Sequence, residues 1–208
     1  MKKTLKYITL VAVIGLLGYN SVWFKKLDTK KETISTDTSP VEFAKKFWAN
    51  IFTPYLDSAA DFNQFYSLLN TEPQKAMDQY AHRQGISNTS FVLLKGEGIV
   101  DEIKGNETEL IVKNGAGNIS VKLNTGLYFG NAIRDVTGKI NMGDFNNTMD
   151  YNAVSTELNK IVQQQVVVPF KNKISKGQLI QFIGCTELNS DQTKKNVVEI
   201  LPVRIIYK

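Results

Sequence analysis

The chain has 208 residues, 42% of them hydrophobic and 22% charged. That is ordinary globular chemistry, with length for one good core or two small ones, and it excludes collagen, low-complexity chains and disulfide-stapled miniproteins. One cysteine, Cys185, permits no internal disulfide and no cysteine-rich zinc site, and one histidine, His82, excludes any site that needs two imidazoles. The net charge of +5 has a local source. Residues 1–31 hold seven lysines against Asp28 alone, and the other 177 residues carry 18 basic and 19 acidic side chains. A duplex binder needs Lys and Arg to displace phosphate counterions. Here the basic excess flanks an apolar segment, where lysines meet lipid headgroups, so nucleic acid is not the expected partner.

That segment is the first element. Met1–Lys6 is basic, and Ile8–Leu17 is apolar apart from Thr9 and Gly15. The charge-free stretch runs from Tyr7 to Phe24, 18 residues, with Tyr19, Trp23 and Phe24 at its far edge. A spanning helix wants roughly 20 residues with a lower limit near 17, and aromatic edges suit the membrane interface. No small-x-small cleavage site follows, as a signal peptide would require. Leu16-Leu17-Gly18-Tyr19 resembles a bacterial lipobox with tyrosine where the lipid-bearing cysteine belongs. No lipidation is therefore expected, and the helix itself is expected to hold the protein in the membrane. Lysines on both sides nearly balance, so charge does not set its orientation.

Leu27–Thr38 is polar, without apolar period, and reads as a linker. Ser39-Pro40-Val41-Glu42 starts a helix as a capping box with proline at the first position. Val41, Ala44, Phe47, Trp48 and Ile51 share its apolar face, and Pro54 is expected to stop it. Asp57 is expected to cap a second helix with Phe62, Phe65, Leu68 and Leu69 inward. Thr71 is expected to cap a third, with Ala76, Met77 and Tyr80 inward, His82 and Arg83 in the last turn and Gly85 closing it.

From Ser90 the period changes. Phe91–Ile103, Glu109–Lys113 and Ile119–Asn124 read as strands, with Gly96 and Gly98 marking a bulge or bend in the first. A long helix follows over about Asn147–Gln165 with Val154, Leu158, Ile161 and Val162 on one face. Gln178–Glu187 and Val197–Ile206 are the last strands. Three strands, a helix and two strands is the order of a five-stranded OB barrel, whose helix is expected to plug one end with the Val154 face. The fold class is therefore α+β. An N-terminal membrane helix (1–25) and a linker (26–38) precede a small helical region (39–87) and an OB-like barrel domain (88–208) with its long helix between strands three and four.

Few residues carry chemistry. Gly96-Glu97-Gly98 lacks the third glycine and the following helix of a phosphate-binding turn. Asp101, Glu102 and Asp144 are the acids a hydrolase would use, but no paired carboxylate cleft is evident. No cofactor, no metal site and no catalytic residue is expected. The segment Gly130–Asn147 is the strongest candidate. It gathers Gly130, Asn131, Arg134, Asp135, Asp144, Asn146 and Asn147. These residues form either a polar pocket for a polyhydroxy ligand or a structural network. In the structural reading Arg134 is buried, Asp144 is its first candidate partner, and Asn147 or Asp144 caps the long helix.

At this segment the sequence resembles a known family. The matching pieces are Phe47-Trp48 with Pro54, Ala59–Leu69, Lys95–Val100, Thr125-Gly126, Gly130–Asp135, Asp144–Asn147, Leu158-Asn159, Gly177 and Pro202-Val203. In order and spacing they resemble the bacterial family described as predicted periplasmic lipoproteins, a domain of unknown function numbered twenty-two ninety-one. The chain departs from it at Asn131, where threonine is common, at Asn147-Thr148, where Asn-Gln is common, and at the absent lipobox cysteine. The resemblance implies an extracytoplasmic domain and, as partners, ABC-type sugar transport components. The expected function is a membrane-anchored, non-enzymatic binding or accessory module for solute uptake. The alternative is an OB module for oligosaccharides or nucleotides, which exposed aromatics on its second and third strands would favour.

Overall fold

The computed structural model describes residues 38–85, 87–115, 117–189 and 198–208, all within one compact unit, 34–208. The expected anchor and nearly all of the linker lie outside the described residues. Helix α1, Pro40–Phe47, begins where its cap demands: the Ser39 hydroxyl accepts the Glu42 amide at 3.3 Å. Its inward residues are Phe43, Ala44 and Phe47, whereas Val41, expected inward, is exposed. Phe43 displaces it because its ring has two aromatic neighbours, Phe47 at 6.4 Å and Phe145 at 5.1 Å.

Pro54 does not stop this helix. A π-helical segment, Trp48–Phe52, leads into one α turn, Thr53–Tyr55, and a 3-10 turn, Leu56–Ser58. The wider turn lets the chain restart with Pro54 in a first-turn position, where its missing N–H would have no helical partner anyway. Thr53 secures the junction, its hydroxyl donating to the Trp48 carbonyl at 2.8 Å. The short strand β1, Ala60–Asp61, follows, and Asp61 rather than Asp57 caps α2, Phe62–Thr71, by accepting the Gln64 amide at 3.0 Å. Thr71 ends α2 instead of capping α3, Pro73–Tyr80; its hydroxyl donates back to the Ser67 carbonyl. His82 and Arg83 are not helical. They form β2, His82–Arg83, pairing antiparallel with Phe91 and Ser90, because the ladder satisfies their backbone groups.

The barrel is built from β3 (Thr89–Lys104), β4 (Glu107–Asn114), β5 (Gly117–Asn124), β6 (Leu179–Asn189) and β7 (Val198–Tyr207). The ring runs β3-β4-β5-β7-β6 and closes by pairing β6 with β3. Neighbours are antiparallel except β5 and β7, which are parallel. This is the five-stranded OB topology. The 16-residue β3 serves two partners, β6 along Thr89–Ile99 and β4 along Ile99–Lys104, with a register shift between Val100 and Glu102. Gly96 lies where it curls: a Cβ there would stand 2.7 Å from the Phe182 ring.

Alternation along the strands divides the apolar residues into two cores. Val92, Leu94, Leu110, Val121, Phe182 and Ile200 face the barrel interior, joined by Phe62, Phe65 and Leu69 of α2. Phe91, Leu93, Cys185, Leu201 and Val203 face outward into the second core. After β5 come α4 (Ala132–Asp135), a 3-10 turn (Met142–Asp144) and α5 (Thr148–Val162). A π segment (Gln163–Val167) then passes into α6 (Val168–Lys173). The long helix α5 is not the plug. Val154, Leu158 and Val162 pack with Phe43 and Phe47 of α1 on the outer wall of β3, β6 and β7. The helical region and the barrel thus share both cores.

Candidate functional site

In the GNAIRD turn, burial extends to the charged residues. Arg134 and Asp135 are 4% and 3% exposed. Arg134 chelates its neighbour: Nε donates to Oδ1 of Asp135 at 2.6 Å and Nη2 to Oδ2 at 3.0 Å. Nη1 donates to the Tyr151 carbonyl and to Oδ1 of Asn152, both at 3.3 Å. The guanidinium carbon lies 3.6 Å from the centroid of the Tyr151 ring, whose hydroxyl donates to Asp135 at 3.5 Å. Burial, then the Asp135 charge, push the Tyr151 hydroxyl above its usual range. Ion pair, fork and π-face are all used within the protein. The geometry is that of a tie between α4 and the first turns of α5. The carboxylate that Arg134 chelates is Asp135, not the expected Asp144, which accepts the Asn141 amide at 2.9 Å in a capping box.

The other candidates do not converge on a pocket. Asn147 caps α5, accepting the Asp150 amide at 2.8 Å. Asn131 and Asn146 are exposed. The Gly130 carbonyl accepts from Nδ2 of Asn159 at 2.9 Å. His82 lies against Gly138, with Nε2 3.4 Å from Oε1 of Gln84. Asp101 and Glu102 face Lys176 and Lys104 at 3.7 and 2.6 Å and form no carboxylate pair. Among the described residues no group of three or more His, Cys, Asp or Glu is placed to hold a metal.

A cavity lies elsewhere, where the barrel wall parts. The β6–β7 ladder ends at Cys185 and Leu201, although β6 pairs with β3 as far as Asn189 and Val198–Ile200 pair with β5. Between the diverging strands is a cavity of about 300 Å³. Its polar lining includes Asn124, Tyr128, Thr186, Glu187 and Glu199, and among the described residues that line it none is Lys, Arg or His. Asn124 donates to the Glu199 carboxylate at 3.2 Å, and the Thr186 hydroxyl to the Glu199 carbonyl at 2.8 Å. Tyr128 comes from the loop before α4. Its oxygen accepts the Ala132 amide at 3.3 Å, and burial pushes its hydroxyl well above the usual range. Leu127 and Phe129 on either side are 71% and 87% exposed. The loop is sequence-readable only as Gly126-Leu-Tyr-Phe-Gly130, an apolar triplet between two glycines. The two strand glutamates gave no signal, because their proximity depends on the β6–β7 divergence.

The family model described as "Predicted periplasmic lipoprotein (DUF2291)" matches residues 12–206. The chain belongs to this family. Its description carries an extracytoplasmic place at the membrane and no activity. A solved member of the same architecture is an OB-fold protein from Thermotoga maritima, 28% identical, covering 82% of this chain and 99% of its own, with a TM-score of 0.74. Two OBody structures bound to hen egg-white lysozyme also match. They are 16% and 14% identical, cover 57% and 61% of this chain and 80% and 94% of their own, and have TM-scores of 0.27 and 0.28, too low to carry an argument. No curated protein matches. The chain's one thiol, Cys185, is buried in β6. Among the described residues no helix is long and apolar enough to cross a membrane.

Proposed function

We propose that the protein is a membrane-held, extracytoplasmic, non-enzymatic binding module that takes a small polyhydroxy ligand in the cavity between β6 and β7. The cavity lining carries the reading. Two carboxylates, an amide and a phenol accept from ligand hydroxyls, and the two glutamates among the described lining residues disfavour phosphate and carboxylate ligands by like-charge repulsion. Service to sugar-type solute uptake, with ABC-type transport components as partners, is carried by the family resemblance alone. The alternative, an oligosaccharide- or nucleotide-binding platform on β4 and β5, needs stacking side chains, and those two strands contain no aromatic residue. Calorimetric titration of the purified protein with neutral sugars and their phosphate esters tests the proposal. A neutral sugar should bind, its phosphate ester should not, and Glu199→Gln should weaken binding at least tenfold without lowering the melting temperature. Failure of every neutral sugar, or equal binding of the esters, overturns it.

The anchor is proposed to be the 7–24 helix, without acylation, since Tyr19 offers no thiol. The protein should stay in the membrane fraction after a carbonate wash. Its extracted mass should show neither a diacylglycerol nor a shortened amino terminus; either would refute this anchor.

A further inference from the structure

Ser155 and Asn159 lie one turn apart on the same face of α5, beneath the loop that carries Tyr128. Ser155 is 5% exposed, and its hydroxyl has no hydrogen-bond partner among the described residues. A helical serine ordinarily donates to the carbonyl four residues back, here Tyr151. That carbonyl already takes the helical amide of Ser155 and Nη1 of Arg134, so both its lone pairs are engaged. The Arg134 tie therefore displaces the serine hydroxyl from its usual acceptor. Asn159 spends Nδ2 on the Gly130 carbonyl, which fixes the orientation of its amide, and leaves Oδ1 buried without a donor.

Two buried oxygens without partners at one site are rare in native proteins, because each loses the desolvation energy of an unmade bond. Side chains four apart on a helix have Cβ atoms about 5–6 Å apart. One water, with a hydrogen bond to each, spans that separation. We infer that the α5 face beneath the GNAIRD turn is an internal hydration site, at which a single ordered water bridges Ser155 and Asn159. Donating to Asn159, the water holds the amide that holds Gly130. A Cβ at Gly130 would stand 2.1 Å from the Tyr128 hydroxyl, so the position of Gly130 and that of Tyr128 at the cavity edge are set together. The water is thus part of the support of the cavity wall, whatever ligand the cavity takes.

A crystal structure of the protein at about 1.5 Å resolution tests this. A density peak within hydrogen-bond distance of both Ser155 Oγ and Asn159 Oδ1 is expected. In Ser155→Ala the peak should weaken or vanish, and the amides of Gly130 and Ala132 should exchange with solvent about tenfold faster, consistent with loss of a bridging water. Absence of the peak in the wild-type protein overturns the inference. The wild-type density decides the question even where Ser155→Ala fails to fold.

Discussion

Removing Arg134 should be the most damaging single truncation in the α4–α5 seam. Arg134→Ala leaves the Asp135 carboxylate, 3% exposed, with only the long bond from the Tyr151 hydroxyl at 3.5 Å among its side-chain partners. Breaking one side of a buried ion pair costs about 3–5 kcal/mol, because the remaining charge stays desolvated. The guanidinium also leaves the Tyr151 ring, a contact of roughly 1–2 kcal/mol when desolvated. Asp135→Ala should be milder, about 3 kcal/mol, because the stranded guanidinium keeps the ring, the Tyr151 carbonyl and Asn152. The double variant should cost less than the sum of the two by about 2 kcal/mol or more, since neither charge is then left unpaired. Asp144→Ala, which removes the acceptor of the Asn141 amide, should cost about 1 kcal/mol. Urea melts of the four variants give these values, and each kcal/mol should lower the melting temperature by roughly 2–4 °C in a domain of this size. An Arg134→Ala protein within about 1 kcal/mol of wild type, or strict additivity in the double variant, would refute a structural tie and return Arg134 to the list of ligand-facing residues.

Gly130→Ala should destabilise the loop, since the new methyl would stand 2.1 Å from the Tyr128 oxygen and 2.3 Å from its ring carbon Cζ, and the same substitution should cost less in a Tyr128→Ala background, where the ring is gone; an equal cost in both backgrounds would show that the clash is not the cause. Burial pushes the Cys185 thiol far above its usual range. In the unfolded chain it ionises near pH 8.5, so above that pH the unfolded state releases a proton the folded state keeps. Stability should therefore hold to about pH 8 and fall between roughly pH 8.5 and 10 by up to about 1.4 kcal/mol per pH unit. Cys185→Ala should remove this slope while leaving any sugar response intact. An equally steep fall in Cys185→Ala would place the alkaline lability in the tyrosines instead.

The barrel was legible because its signals are local. Alternating apolar residues and glycine-bearing turns delimit each strand, and the position of one long helix between the third and fourth strands selects the topology. What covers what was not legible. An amphipathic helix shows which face it buries but not against which surface, and the Val154 face of α5 and the Phe62 face of α2 look alike in that respect. The difference is made by Ala60 and Asp61, which pair in parallel with Leu94 and Lys95 and so deliver α2 directly to the barrel end. A two-residue strand leaves no periodicity to read. The misplaced caps have a related origin. Asp57 and Asp61 are both competent N-caps by residue type, and the choice is made by the π segment, which lets the first helix run past Pro54 and carries the next start four residues on.

The reading of the GNAIRD turn failed on one residue for a geometric reason. Asp144 was the expected partner because it precedes the long helix, and adjacent side chains on a regular helix, such as those of Arg134 and Asp135, point in different directions. That rule describes regular helices. Here α4 is a four-residue turn pressed against α5, and its arginine is held from the other side by the Tyr151 ring and carbonyl. Those contacts fold the guanidinium back over the turn, where the neighbouring carboxylate is the one within reach. The same tie engages the carbonyl that Ser155 would otherwise use, and the Asn159–Gly130 bond one turn on places Tyr128 beside Glu187 and Glu199. A segment read as either a polar pocket or a structural network is thus the buttress of a cavity that opens on its far side. The carboxylates proposed to take a ligand, Glu187 and Glu199, lie instead on β6 and β7.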